Sequence, residues 1–161
     1  MGEICFMKIV PYEKKYKNVF IEMNKQWISN MFVIEKEDLA VLNNIEQTLE
    51  AGGQIFFAID DNDEVLACCM IAPLPNGEWE IEKFCAKGMY TGSGAGSACL
   101  KACIDYAKEK RIEKVVIVTN RKCEQAIHLY RKCGFVEVPV DKEKFPFDRA
   151  NIAFEQTFIY N

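Results

Sequence analysis

The run Thr91-Gly92-Ser93-Gly94-Ala95-Gly96-Ser97 sets three glycines at alternate positions just ahead of a segment with helical apolar spacing. Glycines leave backbone N–H groups unobstructed, and the first turn of a helix adds the positive end of its dipole, so this turn is suited to phosphate oxygens. A Walker loop requires Lys-Ser/Thr after its last glycine, and Gly96 is followed by Ser97-Ala98, which disfavours an NTPase. A dinucleotide fingerprint needs glycine where Ser97 stands and usually opens a first βαβ unit, whereas this turn follows an antiparallel meander. A nucleotide-binding enzyme is therefore the weaker reading of the turn, and a ligand-free hinge is its plain structural alternative.

Other reactive side chains argue mainly by exclusion. The eight cysteines, Cys5, Cys68, Cys69, Cys85, Cys99, Cys103, Cys123 and Cys133, mostly fall within apolar periodic segments and read as buried thiols of a reducing cytoplasm. There is no C-x-x-C pair, and the single histidine, His128, has no neighbouring ligand set, so no metal is expected. Twenty Lys and Arg against 24 Asp and Glu give a net charge of −4, without the basic excess of a nucleic-acid binder. No apolar run approaches the ~18 residues of a membrane span, and the first residues have neither a signal-peptide pattern nor a myristoylation site. A cytoplasmic protein with one domain over residues 1–161 is the expectation.

The elements that must position the chemistry follow from periodicity. Residues 7–10 form a candidate edge strand, and residues 14–29 space Tyr16, Val19, Phe20, Met23 and Trp27 as an amphipathic helix. Residues 35–51 carry a second helical pattern through Leu39, Leu42, Ile45 and Leu49, stopped by Gly52-Gly53. Strands over 55–59, 65–72 and 78–87, joined by Asp60-Asp61-Asn62-Asp63 and Asn76-Gly77, make a three-strand antiparallel meander. A helix over 97–110, a Val/Ile-rich strand over 114–119, a short helix over 124–132 closed by Gly134, and strands over 135–138 and 152–160 complete a mixed α/β sheet.

This order of elements resembles the GNAT superfamily of acyl-CoA-dependent N-acetyltransferases over essentially the whole chain. Its motif Arg/Gln-x-x-Gly-x-Gly/Ala matches residues 91–96 except that Thr91 replaces the basic or amide residue. A later motif, Ala-Ile-x-Leu-Tyr-x-x-x-Gly-Phe, is complete from Ala126 through Tyr130 to Gly134-Phe135. A narrower likeness joins Glu80-Ile81-Glu82-Lys83-Phe84, Thr119-Asn120-Arg121-Lys122-Cys123 and Phe147-Asp148-Arg149-Ala150-Asn151-Ile152 to bacterial GNAT proteins, some of them fused to winged-helix regulators.

The resemblance implies an α/β (α+β mixed) sheet with helices on both faces, an antiparallel meander and then splayed parallel strands. It implies acetyl-CoA as cosubstrate and a small-molecule or peptide amine as acceptor. Open backbone groups of Phe84, Cys85 and Ala86 would pair with pantetheine. The turn from Thr91 and Gly92 through Ser93, Gly94, Ala95, Gly96 and Ser97 would hold the pyrophosphate, with Asn120 and Ala126 nearby and the phosphate end weakened modestly by Thr91. Tyr130 is the candidate acid for the leaving thiolate, or else a helix-face aromatic. Glu80 or Glu82 is the candidate proton acceptor, or else a solvated edge charge. Trp27, Phe32, Glu35 and Asp38 would wall the acceptor, with core packing and helix capping as alternatives. Arg149 would pair with an acceptor carboxylate or with Asp148 or Glu143. Cys123 stands where many GNAT chains cap a helix with Asn, leaving Asn120 for a backbone or cofactor contact. The main alternative to acetyl transfer is a CoA-binding sensor or partner-binding module on the same fold.

Overall fold

A computed structural model describes residues 7–88 and 93–161; Thr91, Gly92 and Cys5 lie outside the described residues. Apolar and β-branched runs form strands at Lys8–Pro11 (β1), Gln54–Ile59 (β2), Val65–Pro73 (β3), Trp79–Ala86 (β4), Lys114–Thr119 (β5), Val136–Val138 (β6) and Ile152–Thr157 (β7). Helical spacing yields Lys17–Met31 (α1, led by a 3-10 turn at Lys14–Tyr16), Lys36–Leu42 (α2), Ile45–Glu50 (α3), Ala95–Glu109 (α4) and Glu124–Lys132 (α5).

One seven-stranded sheet runs in the order β1-β2-β3-β4-β5-β7-β6. All pairings are antiparallel except β4 with β5. Strand β7 comes last in sequence yet inserts between β5 and β6, bringing the loop before it against the end of β5.

Two apolar layers cover the sheet. One, under α4 and α5, gathers Leu66, Cys69, Ile81, Leu100, Val115, Tyr130 and Phe154. The other, under α1, α2 and α3, gathers Phe20, Leu42, Ile45, Phe57, Cys68, Met70 and Cys85. Six of the cysteines are buried free thiols and Cys133 is half-buried.

The sequence pattern departs from the structure at two helices. The single helix expected over 35–51 breaks into α2 and α3 at Asn43 and Asn44. Asn44 returns its side-chain amide to the Ala40 carbonyl at 2.6 Å, the local competition by which Asn ends a helix. Helix α4 begins at Ala95, two residues earlier than the apolar spacing implies, because Gly94 enters the left-handed region at φ 95° and turns the chain directly into it.

Candidate active site

The parallel pair is short. Strands β4 and β5 match only Trp79 with Val115 and Glu80 with Val116, and then diverge. Beyond Glu80, β4 stays paired with β3 on its other side, through Met70↔Glu82, Cys68↔Cys85 and Ala67↔Ala86. The β5-facing backbone of that stretch is therefore open. The divergence creates an open cleft of about 730 Å³, counting the solvent at its mouth, with walls that include Ile81, Phe84, Ile117, Thr119 and Tyr130.

A bulge shapes its wall. Between the pairs Met70↔Glu82 and Cys68↔Cys85, β4 spends two residues, Lys83 and Phe84, against one on β3, with Lys83 at φ 52°. Left-handed backbone at a non-glycine residue costs roughly 1–3 kcal/mol and is held only where surrounding contacts over-determine it. The extra residue also reverses the alternation of faces. Cys85 thereby faces the α1 layer, its thiol 3.6 Å from that of Cys68, while Phe84 packs against the α4 layer. The cofactor role expected of Cys85 is thus confined to its backbone.

A buried acid, Glu80, and a half-buried one, Glu82, precede the bulge. Glu80 is only 6% exposed and lines the cleft with Glu82. Burial first, and the Glu82 charge next, push the Glu80 carboxyl well above its ordinary range. The Lys83 ammonium lies 3.5 Å from Glu82 and 3.1 Å from Asp38. Glu80 and Glu82 are therefore not solvated edge charges.

Tyr130, on α5, borders the same cleft from the other layer. It is 4% exposed and packs against Phe84, Phe135 and Phe154 at 6.0, 6.4 and 5.8 Å. Its hydroxyl has no hydrogen-bond partner among the described residues. Burial pushes its pKa well up, so at neutral pH it carries a proton it can donate.

The Gly-rich turn lies at one end of this region. Gly94 is the left-handed residue before α4, and no side chain caps that helix. The N–H groups of Gly96 and Ser97, in the first turn, have no intrahelical acceptor, while Ala95 N–H reaches Ser93 Oγ at 3.4 Å. A Cβ on Gly96 would come within 3.2 Å of the Phe84 ring, so glycine there permits the close approach of α4 to β4. These open amides and the helix end fit the phosphate chemistry read from the sequence.

The opposite flank is made of charged side chains. Arg149 grips Asp38 with both terminal nitrogens, at 2.7 and 2.5 Å, and reaches Glu35 at 3.2 Å. Glu35 also accepts the Asp148 N–H at 2.8 Å and donates its own N–H to Asp38 at 2.9 Å. Burial would raise the Asp38 carboxyl, yet the Arg149 hydrogen bonds, the Lys83 charge and the Glu35 N–H together hold it below its usual value. Neither Asp148 nor Glu143, the surface partners open to Arg149 on sequence grounds, is its ion-pair partner. The partners belong to the start of α2, more than a hundred residues away.

Of the expected site residues, Trp27, Phe32, Glu80, Glu82, Phe84, Asn120, Ala126, Tyr130 and Arg149 border the cleft. Glu35 stands behind Arg149, joining helix capping with the ion pair. Asn120 makes backbone contacts on both sides, accepting Lys122 N–H at 2.9 Å and donating to the Arg149 carbonyl at 2.7 Å. Cys123 leads into α5 without capping it by its side chain. Residues that sequence reasoning gave no site role are Asn24, Lys83 and Phe147, all bordering the cleft. No glycine marks the bulge at Lys83, and the helical pattern of α1 presents Asn24 only as a polar interruption. Among the described residues no His/Cys/Asp/Glu group could hold a metal, and no helix is long and apolar enough to cross a membrane.

A mixed sheet whose parallel pair opens beside a Gly-rich helix start defines an acyl-CoA transferase fold. The model of the acetyltransferase (GNAT) family matches residues 21–135, and the chain belongs to that family. Among solved structures, a GNAT-family acetyltransferase from Staphylococcus aureus Mu50 is similar at TM-score 0.84 and 25% identity, over 94% of this chain and 99% of that one. The PaiA N-acetyltransferase of Thermoplasma acidophilum, in complex with coenzyme A, shares the fold at TM-score 0.72 and 14% identity, over 95% and 99% of the two chains. YncA of Salmonella typhimurium, with acetyl-CoA, does so at 0.75 and 15%, over 97% and 96%. No protein of curated function matches the chain.

Proposed function

We propose that this chain, as a single catalytic unit, transfers the acetyl group of acetyl-CoA to the primary amine of a small-molecule or peptide acceptor by direct attack in a ternary complex. The observation that carries the reading is the early divergence of β4 from β5, with an unpartnered, proton-bearing tyrosine buried beside the opening. The CoA-bound relatives of the same fold support the donor. The free backbone of Phe84–Ala86 pairs with the pantetheine arm as an added strand, and the amides of Gly96 and Ser97 receive the pyrophosphate. Three stretches resemble those of bacterial GNAT proteins, some of them linked to winged-helix regulators, and the reading extends to that subgroup.

The step itself follows from the groups available. The amine nitrogen attacks the thioester carbonyl carbon, the C–S bond breaks, and the leaving thiolate takes the Tyr130 hydroxyl proton. The ammonium proton passes to Glu80, directly or through a water. Burial and the Glu82 charge raise its affinity for a proton, which favours taking one from the ammonium.

Tyr130→Phe tests the reading. It should retain CoA binding, measured by thermal shift, while release of CoA thiol in the presence of an amine panel falls by roughly ten- to a hundredfold, at the low end of general-acid effects. Full activity in the variant reduces Tyr130 to packing. CoA binding by the wild type with no thiol released by any amine identifies the sensor instead.

A further inference from the structure

Among the described residues the cations that border the cleft are two, Lys83 and Arg149, and both are already engaged. Asp38, fully buried, takes the Arg149 fork and the Lys83 ammonium; Glu35 adds a second carboxylate to Arg149, and Glu82 a second to Lys83. Three carboxylates thus face two cations, and Glu80 adds a fourth carboxyl to the same cleft, so acidic groups outnumber basic ones there. Lys122 is exposed, 5.8 Å from the Phe32 ring, and is not among the residues bordering the cleft.

The rest of this flank is aromatic. Trp27 and Phe32 lie 6.1 Å apart, and Phe147 sits 5.0 Å from the Arg149 guanidinium and 5.3 Å from the Lys83 ammonium. All three rings are part-exposed cleft walls. They offer a body-binding surface with little hydrogen-bonding capacity.

We infer that the acceptor is an amine on an aromatic body that bears no carboxylate, an arylalkylamine. The inference rests on the acetyl-transfer reading of this site and names its acceptor class. The ammonium meets the acidic excess, and the ring body packs against Trp27, Phe32 and Phe147. A substrate carboxylate would have to displace Asp38 from Arg149, leaving a buried acid short of its partner, or else remain unpaired itself. An aliphatic diamine would leave the three rings without a body to pack against. The Arg149 role expected from sequence, pairing with an acceptor carboxylate, gives way to holding the wall.

Phenethylamine, L-phenylalanine and putrescine separate these cases when each is offered with acetyl-CoA. The N-acetyl product is quantified by mass spectrometry, and binding to the CoA-loaded protein is measured by calorimetry. Phenethylamine should exceed both others in kcat/KM by at least about tenfold, the range a mismatched polar or charged group produces in a fitted pocket. Trp27→Ala should raise its KM several-fold with a smaller change in kcat. Equal or better use of phenylalanine or putrescine overturns the inference while acetyl transfer stands. Phenethylamine that binds selectively to the CoA complex yet is never acetylated overturns the transfer reading while the acceptor class stands. Absence of both phenethylamine binding and acetylation overturns the inference, as does an unchanged KM in Trp27→Ala.

Discussion

The two flanks of the cleft are made of different material. On the α4 side the polar groups are backbone amides and open strand edges, displayed by a left-handed glycine and by a parallel pair that stops after two registered positions. On the α2 side they are side chains, five charged groups from three distant segments locked onto one another around Asp38. Backbone groups survive most substitutions because every residue supplies them. A charge lattice has no such redundancy, since each buried member depends on its partners. The donor half of such a fold can therefore stay constant while the acceptor half is set residue by residue.

Removing the centre of the lattice should give the largest effect. Asp38→Ala strands Lys83 and Arg149, and loss of one partner of a buried pair typically costs about 3–5 kcal/mol; urea unfolding measures it. If the two flanks are independent, the folded fraction of this variant still gains thermal stability from CoA. The same carboxylate carries a pH signature. Its native pKa is held below the unfolded value of about 3.9, so its contribution is complete above that pH and is lost as pH falls through the native value. A loss under about 1 kcal/mol, typical of exposed pairs, would break the comparison by making Asp38 just another surface acid.

On the backbone flank, Gly94→Val forces a β-branched residue into φ 95°, a strain of roughly 1–2 kcal/mol, and sets a branched side chain at the phosphate approach. The expected outcome is loss of the CoA-induced rise in Tm, which for the wild type corresponds to about 2.7 kcal/mol at a hundredfold excess over Kd. Retention of the full shift by a folded variant would remove the turn from the donor site.

The smallest effect concerns the boundary between the flanks. Glu80 holds its proton more tightly in the native protein than in the unfolded chain, because burial and Glu82 raise its pKa. Its contribution is thus greatest below the unfolded value of about 4.3 and declines as pH rises through the native one. Glu80→Gln removes that decline, so the variant's Tm should gain on the wild type's with increasing pH. Its acetylation rate should be slow near neutrality and recover partly in alkali, where more amine is already neutral. Parallel pH profiles in both assays would assign the proton transfer to Glu82 or water.

Legibility in the sequence follows the same division. The glycine turn, Tyr130 and the bounds of β5 and α5 are readable because each depends on local signals: positive φ, helical spacing, a β-branched run, a C-terminal glycine. The break between α2 and α3 was missed because two asparagines were outweighed by a continuous apolar period. The bulge at Lys83 carries no local mark at all, since its positive φ is imposed by β3 pairing on one side and the Asp38 and Glu82 contacts on the other.

The chain's own residues thus marked out the strands and helices of a mixed sheet, the glycine turn and the identity of the candidate acid, all of which leave local signals within a few positions in sequence. Tertiary structure decided where the parallel strands part, which face Cys85 takes, and what Arg149 holds. Those outcomes depend on strand register and on ion pairs spanning up to 114 positions, and a charge's partner is chosen by which carboxylates folding brings within reach and removes from water. Arg149 read alone is a free cation awaiting a substrate; beside Asp38 it is part of the wall.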